Sequence, residues 1–167
     1  MKKEISAGVV VFRRIGNGVL YLLLKYGWGH WGFIKGHIEP GEKDIDTVKR
    51  EAFEEAGISD LKFIFGFREK IEYEYFFKGE RRHKIVYYYL AETNQENVRL
   101  SYEHKDYAWL PFEDALKRIT YDNDREVLRK AHTYLKKLGI TKNEISEFEL
   151  EREIENVMKV REMEKER

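Results

Sequence analysis

Residues 36–58 read GHIEPGEKDIDTVKREAFEEAGI, with Gly36, then Glu42 six positions on, then Arg50-Glu51, Glu54-Glu55 and Gly57 at fixed intervals. Pro40-Gly41 supplies a turn, and Gly57 reads as the C-cap of a helix lying between them. At about 100° per residue, Ile45, Val48, Ala52 and Ala56 share one arc of that helix, while Glu51, Glu54 and Glu55 share another. One face packs and the other gathers carboxylates. Like charges three and four residues apart cost a few tenths of a kcal/mol each, and only Arg50, four before Glu54, gives local relief. A solvated acidic face is the plain alternative in a chain with 37% charged residues. Against it, so many specified positions coincide by accident in only about 10⁻⁵ of chains of this length. A cation is expected on the face, and a hard divalent ion such as magnesium suits several carboxylate oxygens on one rigid helix.

Outward from this segment, the first 25 residues hold two apolar runs, Ile5 to Arg13 and Val19 to Lys25, joined through Ile15-Gly16-Asn17-Gly18. They read as a β-hairpin. A loop with Trp28, His30 and Trp31 leads into the helix segment. Beyond it, 61–77 is strand-like and rich in aromatics, Lys78-Gly79-Glu80 turns, and Lys84 to Glu92 returns as a strand. Tyr107 to Leu110 forms a further short strand. Pro111 opens a helix through Ile119, and another runs from Asp122 to Leu138, ended by Gly139.

The 167 residues, 42% hydrophobic, suffice for one domain with a core of its own, expected over 1–139. Residues 140–167 differ in composition, dominated by Glu, Lys and Arg, with Leu150, Ile154, Val157 and Met158 at helical intervals. They predict a charged helical extension that docks its apolar stripe on the domain or on a second subunit. With 31 basic and 31 acidic residues the net charge is zero, so nothing global draws the chain to nucleic acid or membrane. There is no cysteine and no run of 18 apolar residues, and a strand pattern begins at the N-terminus, so a cytoplasmic location is expected.

The 36–58 segment resembles the Nudix box, a glycine-led loop and helix of hydrolases that cleave nucleoside diphosphates linked to another moiety. Every fixed position is filled, with Ala52 and Ile58 at the two apolar slots. The resemblance implies an α/β/α sandwich with a mixed central sheet. It also implies that the Gly36 carbonyl and Glu51, Glu54 and Glu55 bind divalent metal, magnesium first and manganese as the alternative, beside a diphosphate bridge. With AGVVVFRR at Ala7, HWGFIKGHIEPGE at His30, KIVYYYLAE at Lys84 and LSYEHKDYAWL at Leu100, the chain is similar from Ala7 to Leu138 to the asymmetrical diadenosine tetraphosphate hydrolases. Carried over position by position, Glu103 is a further carboxylate at the metal. His30, Lys35, His37 and Lys84 meet the phosphate chain, and Tyr73 and Tyr134 grip an adenine. Ile34 stands where that family usually has proline, and the segment between Tyr73 and Lys84 is longer than in the animal enzymes.

The chemistry implied is attack of metal-activated water on one phosphorus of a dinucleoside polyphosphate, giving ATP and AMP from diadenosine tetraphosphate. Glu54 and Glu103 are alternative general bases, Arg50 orients Glu54 and Glu42, and Lys35, His37 and Lys84 offset charge moving to the leaving group. A 5′ RNA pyrophosphohydrolase is the nearest rival. A catalytically silent nucleotide-sensing module is the rival from another class, opposed by the intact carboxylate set.

Overall fold

The computed structural model describes residues 2–142 and, beyond them, scattered positions between 151 and 165, each helical. Strand β1 (Lys2–Ile15) turns into β2 (Gly18–Tyr26), and two short strands follow, β3 (Trp31–Gly32) and β4 (Ile34–His37). Helix α1 (Asp44–Ala56) precedes β5 (Lys62–Phe63), β6 (Glu69–Phe77), β7 (Glu80–Glu92) and β8 (His104–Leu110), and the described body closes with α2 (Phe112–Arg118) and α3 (Asp122–Lys137).

All eight strands join one mixed sheet. At its centre β1 runs parallel to β7, with Lys2 opposite Arg82 and Phe12 opposite Glu92. On the other edge of β1, β2 pairs with its end and β4 with its middle, both antiparallel. Both faces of β1 and β2 are covered, which is why they read as unbroken apolar runs rather than alternating ones. Val10, Phe12, Tyr21 and Leu23 pack with Val127, Leu128 and Ala131 of α3. Val9, Val11, Leu22 and Leu24 point the other way, against Val48, Ala52 and Ala56 of α1. The result is the expected α/β/α sandwich.

Strands β1 and β8 each begin three residues earlier than expected, at Lys2 and His104, and two further elements differ more. The 61–77 segment is two strands rather than one. Phe63 pairs with Ala91 and Glu69 with Tyr88, so six residues advance where the partner strand spends three. The excess leaves the sheet at Gly66, whose φ of 91° breaks the strand, and Tyr134 on α3 pins the excursion by donating its hydroxyl to the Phe65 carbonyl at 2.6 Å. The returning strand starts at Glu80, four residues early, because Lys78 and Gly79 (φ 50° and 77°) form a two-residue turn directly between Phe77 and Glu80. Past α3, Ile140 packs on the core, Thr141 is buried, and the Lys142 N–H donates to the Asn17 carbonyl at 2.9 Å. The expected apolar stripe at Leu150, Ile154 and Val157 lies outside the described residues, whereas Met158 is helical and 56% exposed. No helix among the described residues is long and apolar enough to cross a membrane.

Candidate active site

Helix α1 is fixed at both ends by its own sequence. The Lys43 N–H donates to Asp46 Oδ2 at 3.0 Å, and Glu42 Oε1 accepts from the Glu39 N–H and the Thr47 hydroxyl at 2.9 Å each. At the far end the Gly57 and Ile58 N–H groups return to the carbonyls of Phe53 and Ala52. With Ala52 and Ala56 against the sheet, the carboxylates face the β4 edge. Gly36 lies there, and a Cβ on it would overlap the Glu51 carboxyl group. Only glycine lets this backbone and this carboxylate approach so closely.

Arg50 organises the cluster. Its Nε donates to Glu42 Oε2 at 2.8 Å, one terminal nitrogen reaches Glu51 Oε1 at 2.7 Å and Glu54 Oε2 at 3.2 Å, and the other reaches the His37 carbonyl at 3.0 Å. The Arg50 hydrogen bonds pull Glu42 down to about 2. Glu51 is instead raised, chiefly by burial, against the pull of Arg50. Glu55 is pushed up to about 9, first by burial and then by the negative charge of Glu51, with Glu103 adding to it. Its Oε2 is buried without a hydrogen-bond partner. A carboxylate so placed is costly to ionise unless a cation joins it. The donors are all oxygen, as hard divalent ions prefer, so the residues present fit such an ion. Among the described residues no three of these groups converge on one point as they stand, since Arg50 draws Glu51 and Glu54 to itself. Glu103 is exposed on the turn before β8, near enough to act on Glu55.

Beside the carboxylates, on the α3 side of the sheet, opens a cavity of about 730 Å³ lined by Tyr26, Trp28, His30, Lys35, Tyr73 and Lys84, with Tyr121 and Asp124 from the start of α3. The long β6–β7 hairpin does not separate Tyr73 from Lys84; they are direct cross-strand partners. Lys35 Nζ stands 5.9 Å from the Tyr73 ring centre. Burial and the neighbouring Lys35 charge lower Lys84, so the two ammonium groups already strain against each other and would gain from an anion between them. The His30 ring stacks on Tyr26 with centres 4.5 Å apart, and burial with the Lys35 charge holds its pKa down. His37 is not on the cavity wall. It lies at the exposed end of β4, lowered by partial burial and by Lys84.

Tyr134 is not brought to this cavity. It faces the Phe65 loop and a shallow groove along α3. The ring facing the cavity from the helical side is Tyr121, 52% exposed, at the N-cap of α3. A tyrosine there makes no side-chain cap hydrogen bond, where Ser, Asp or Asn would be expected, and this anomaly was the one local sign of its use. Asp124 was also unforeseen. It is buried, accepts from the Tyr88 hydroxyl at 3.1 Å, and is raised by burial, in a position no helical pattern distinguishes from a surface aspartate.

A mixed sheet between helical layers, with a carboxylate helix set against a glycine strand, is the architecture of the Nudix hydrolases. Residues 2–131 match the NUDIX domain, and the chain belongs to that family. It is similar to the asymmetrical bis(5′-nucleosyl)-tetraphosphatase of Mus musculus, 37% identical over 142 residues, 78% of this chain and 94% of that one. The Sus scrofa protein of the same name is 38% identical with the same coverage. Among solved structures, the C. elegans Ap4A hydrolase binary complex matches with a TM-score of 0.69 at 30% identity, covering 80% of this chain and 98% of that one. Nudix hydrolases act with a divalent metal, and this chain is a Nudix hydrolase.

Proposed function

We infer that the chain hydrolyses diadenosine tetraphosphate to ATP and AMP with magnesium as the metal. One observation carries the reading. A cavity with tyrosines on two sides and Lys35 and Lys84 along one wall opens beside the Glu51, Glu54 and Glu55 helix, so a base, a polyphosphate and a metal each find their chemistry in one place. The names of the mouse and pig relatives support it.

Tyr73 and Tyr121 would hold an adenine between them, each stacked face contributing about 1–3 kcal/mol. Lys35, Lys84 and the His30 imidazole would line the phosphates, with His37 outside the cavity wall, and the two lysines would offset the charge that builds on the leaving group. Gly36, Glu51, Glu55 and Glu103 would hold the ion, which when bound polarises phosphoryl oxygens and lowers the pKa of water. Glu54, exposed and held only on one oxygen by Arg50, keeps its other oxygen free to take the proton of the attacking water. The water oxygen then bonds to one phosphorus, the bridging P–O bond breaks, and the bridging oxygen leaves on the departing nucleotide. Arg50, whose guanidinium is taken up by Glu42, Glu51, Glu54 and the His37 carbonyl, would serve as a positioning residue. A cytoplasmic site of action belongs to the same proposal and is checked by fractionating cells that express the full chain.

The test is a panel of dinucleoside polyphosphates, ATP, ADP-ribose and triphosphorylated RNA given to the purified protein with magnesium, with products resolved by chromatography. Diadenosine tetraphosphate should show the highest kcat/KM, and hydrolysis in isotopically labelled water should mark one product only. A higher kcat/KM for triphosphorylated RNA would replace this reading with that of an RNA 5′ pyrophosphohydrolase, and no turnover with any compound would favour a sensing module.

A further inference from the structure

We propose that Trp28 is the stacking platform for the second base of the dinucleoside polyphosphate, the base that Tyr73 and Tyr121 do not hold. This rests on the substrate reading above. Trp28 is 96% exposed at the tip of the turn joining β2 to β3. An indole is the largest apolar surface a chain can carry, and leaving it in water forfeits the gain of burying it. The other two tryptophans are used within the fold: Trp31 lies under the Arg118 guanidinium at 4.8 Å, and buried Trp109 donates its indole N–H to the Glu96 carbonyl at 3.0 Å. Among the described residues neither a ring nor a cation packs on Trp28.

The backbone beneath it is nevertheless fixed. The Tyr26 N–H donates to the His30 carbonyl and the Gly29 N–H to the Tyr26 carbonyl, each at 2.8 Å, and the Gly27 N–H donates to the Glu103 carbonyl at 3.0 Å. An unpartnered ring on a rigid turn is preorganised for something outside the fold. Its location says what. Trp28 lines the cavity that Tyr73 and Lys35 also line, and the neighbouring Gly27 N–H ties its turn to the backbone carbonyl of Glu103, an exposed member of the carboxylate set. A phosphate chain that starts from a base at Tyr73, crosses Lys35 and reaches the carboxylates delivers its far nucleoside on the Glu103 side, beside the indole. A base offers a flat π-face there and needs no sequence-specific hydrogen bond.

The test compares the full chain with Trp28→Ala and Trp28→Phe, using diadenosine tetraphosphate and adenosine 5′-tetraphosphate, which keeps the four phosphates and lacks the second base. Trp28→Ala should raise KM for the dinucleotide about tenfold with little change in kcat, and leave KM for the single-base compound where it was. Trp28→Phe should restore most of the loss. Adding the dinucleotide to protein held in chelator should quench tryptophan fluorescence, and that change should vanish in Trp28→Phe. An equal KM rise for both compounds, or none for either, would overturn the proposal. So would a variant that differs from the full chain only in its mass in solution, which would make Trp28 a contact between copies. If the unaltered chain failed to cleave the dinucleotide at all while cleaving another compound, the substrate reading itself would fall, a result separate from any behaviour of the Trp28 variants.

Discussion

At Glu55 burial and the charges of Glu51 and Glu103 act together, and its unpartnered oxygen shows that the fold leaves the compensation to a ligand. Replacing Glu54 or Glu55 with Gln should lower kcat by at least about 10²-fold while circular dichroism stays native, since the first change removes the base and the second an oxygen ligand of the ion, each with little change in volume. Near-normal turnover of both variants at saturating magnesium would place the chemistry elsewhere. Gly36→Ala probes the same point from the strand. Its Cβ must push the Glu51 carboxyl group aside, and displacement of about 1 Å at such a site costs on the order of 10²-fold in rate. Magnesium affinity measured by calorimetry should fall with it, and an unchanged affinity would show that Glu51 has room to yield. The residues of this cluster were legible because one helix carries them at fixed spacing. Tyr121 was not, because its place opposite Tyr73 depends on how the α2–α3 turn meets a hairpin nearly fifty residues earlier, and Tyr134, in a helical pattern that suits a base equally well, turns to the Phe65 loop instead.

Helix α3 binds the sheet partly through a buried polar pair, Tyr21 hydroxyl and His132 Nδ1 at 2.7 Å, with the imidazole stacked on Phe112 at 4.0 Å. Burial, with the nearby Lys136 charge, holds His132 down to about 4. The unfolded chain protonates near 6.5 and the folded one only near 4, so the folded state loses stability as pH falls through that window and keeps it above. His132→Gln should flatten the melting temperature between pH 6.5 and 4 relative to the unaltered protein, and parallel curves would mean that the ring titrates alike in both states. Strands β1 and β2 and helices α1 and α3 were legible because each buries a periodic or continuous apolar set. The division of 61–77 was not. Nothing local separates β5 from β6 except Gly66, and what holds the excursion in place is a hydroxyl from a helix some seventy residues later.

The described body extends to Lys142, through Ile140 on the core and the Lys142 bond to Asn17, so a shortened chain should end after Lys142 rather than after Gly139. Every group assigned to chemistry lies before that point. We therefore expect a chain ending at Lys142 to keep kcat within a few-fold where it is folded, while its melting temperature or its mass by light scattering changes. An inactive but folded product would put the extension at the active site, and one with native stability and mass would show it to be undocked. The central parallel pair has a further consequence for how the molecule comes into being. Lys2 must wait for Arg82, and Phe12 for Glu92, so the strand that organises the sheet is made first and satisfied late. A chain stalled on the ribosome with only α1 outside has its metal helix written and its apolar face uncovered, and it should be digested at once by added protease and held by chaperones. One stalled with residue 142 well clear of the tunnel should resist, so the catalytic carboxylates are synthesised long before the nascent protein has anything rigid to mount them on.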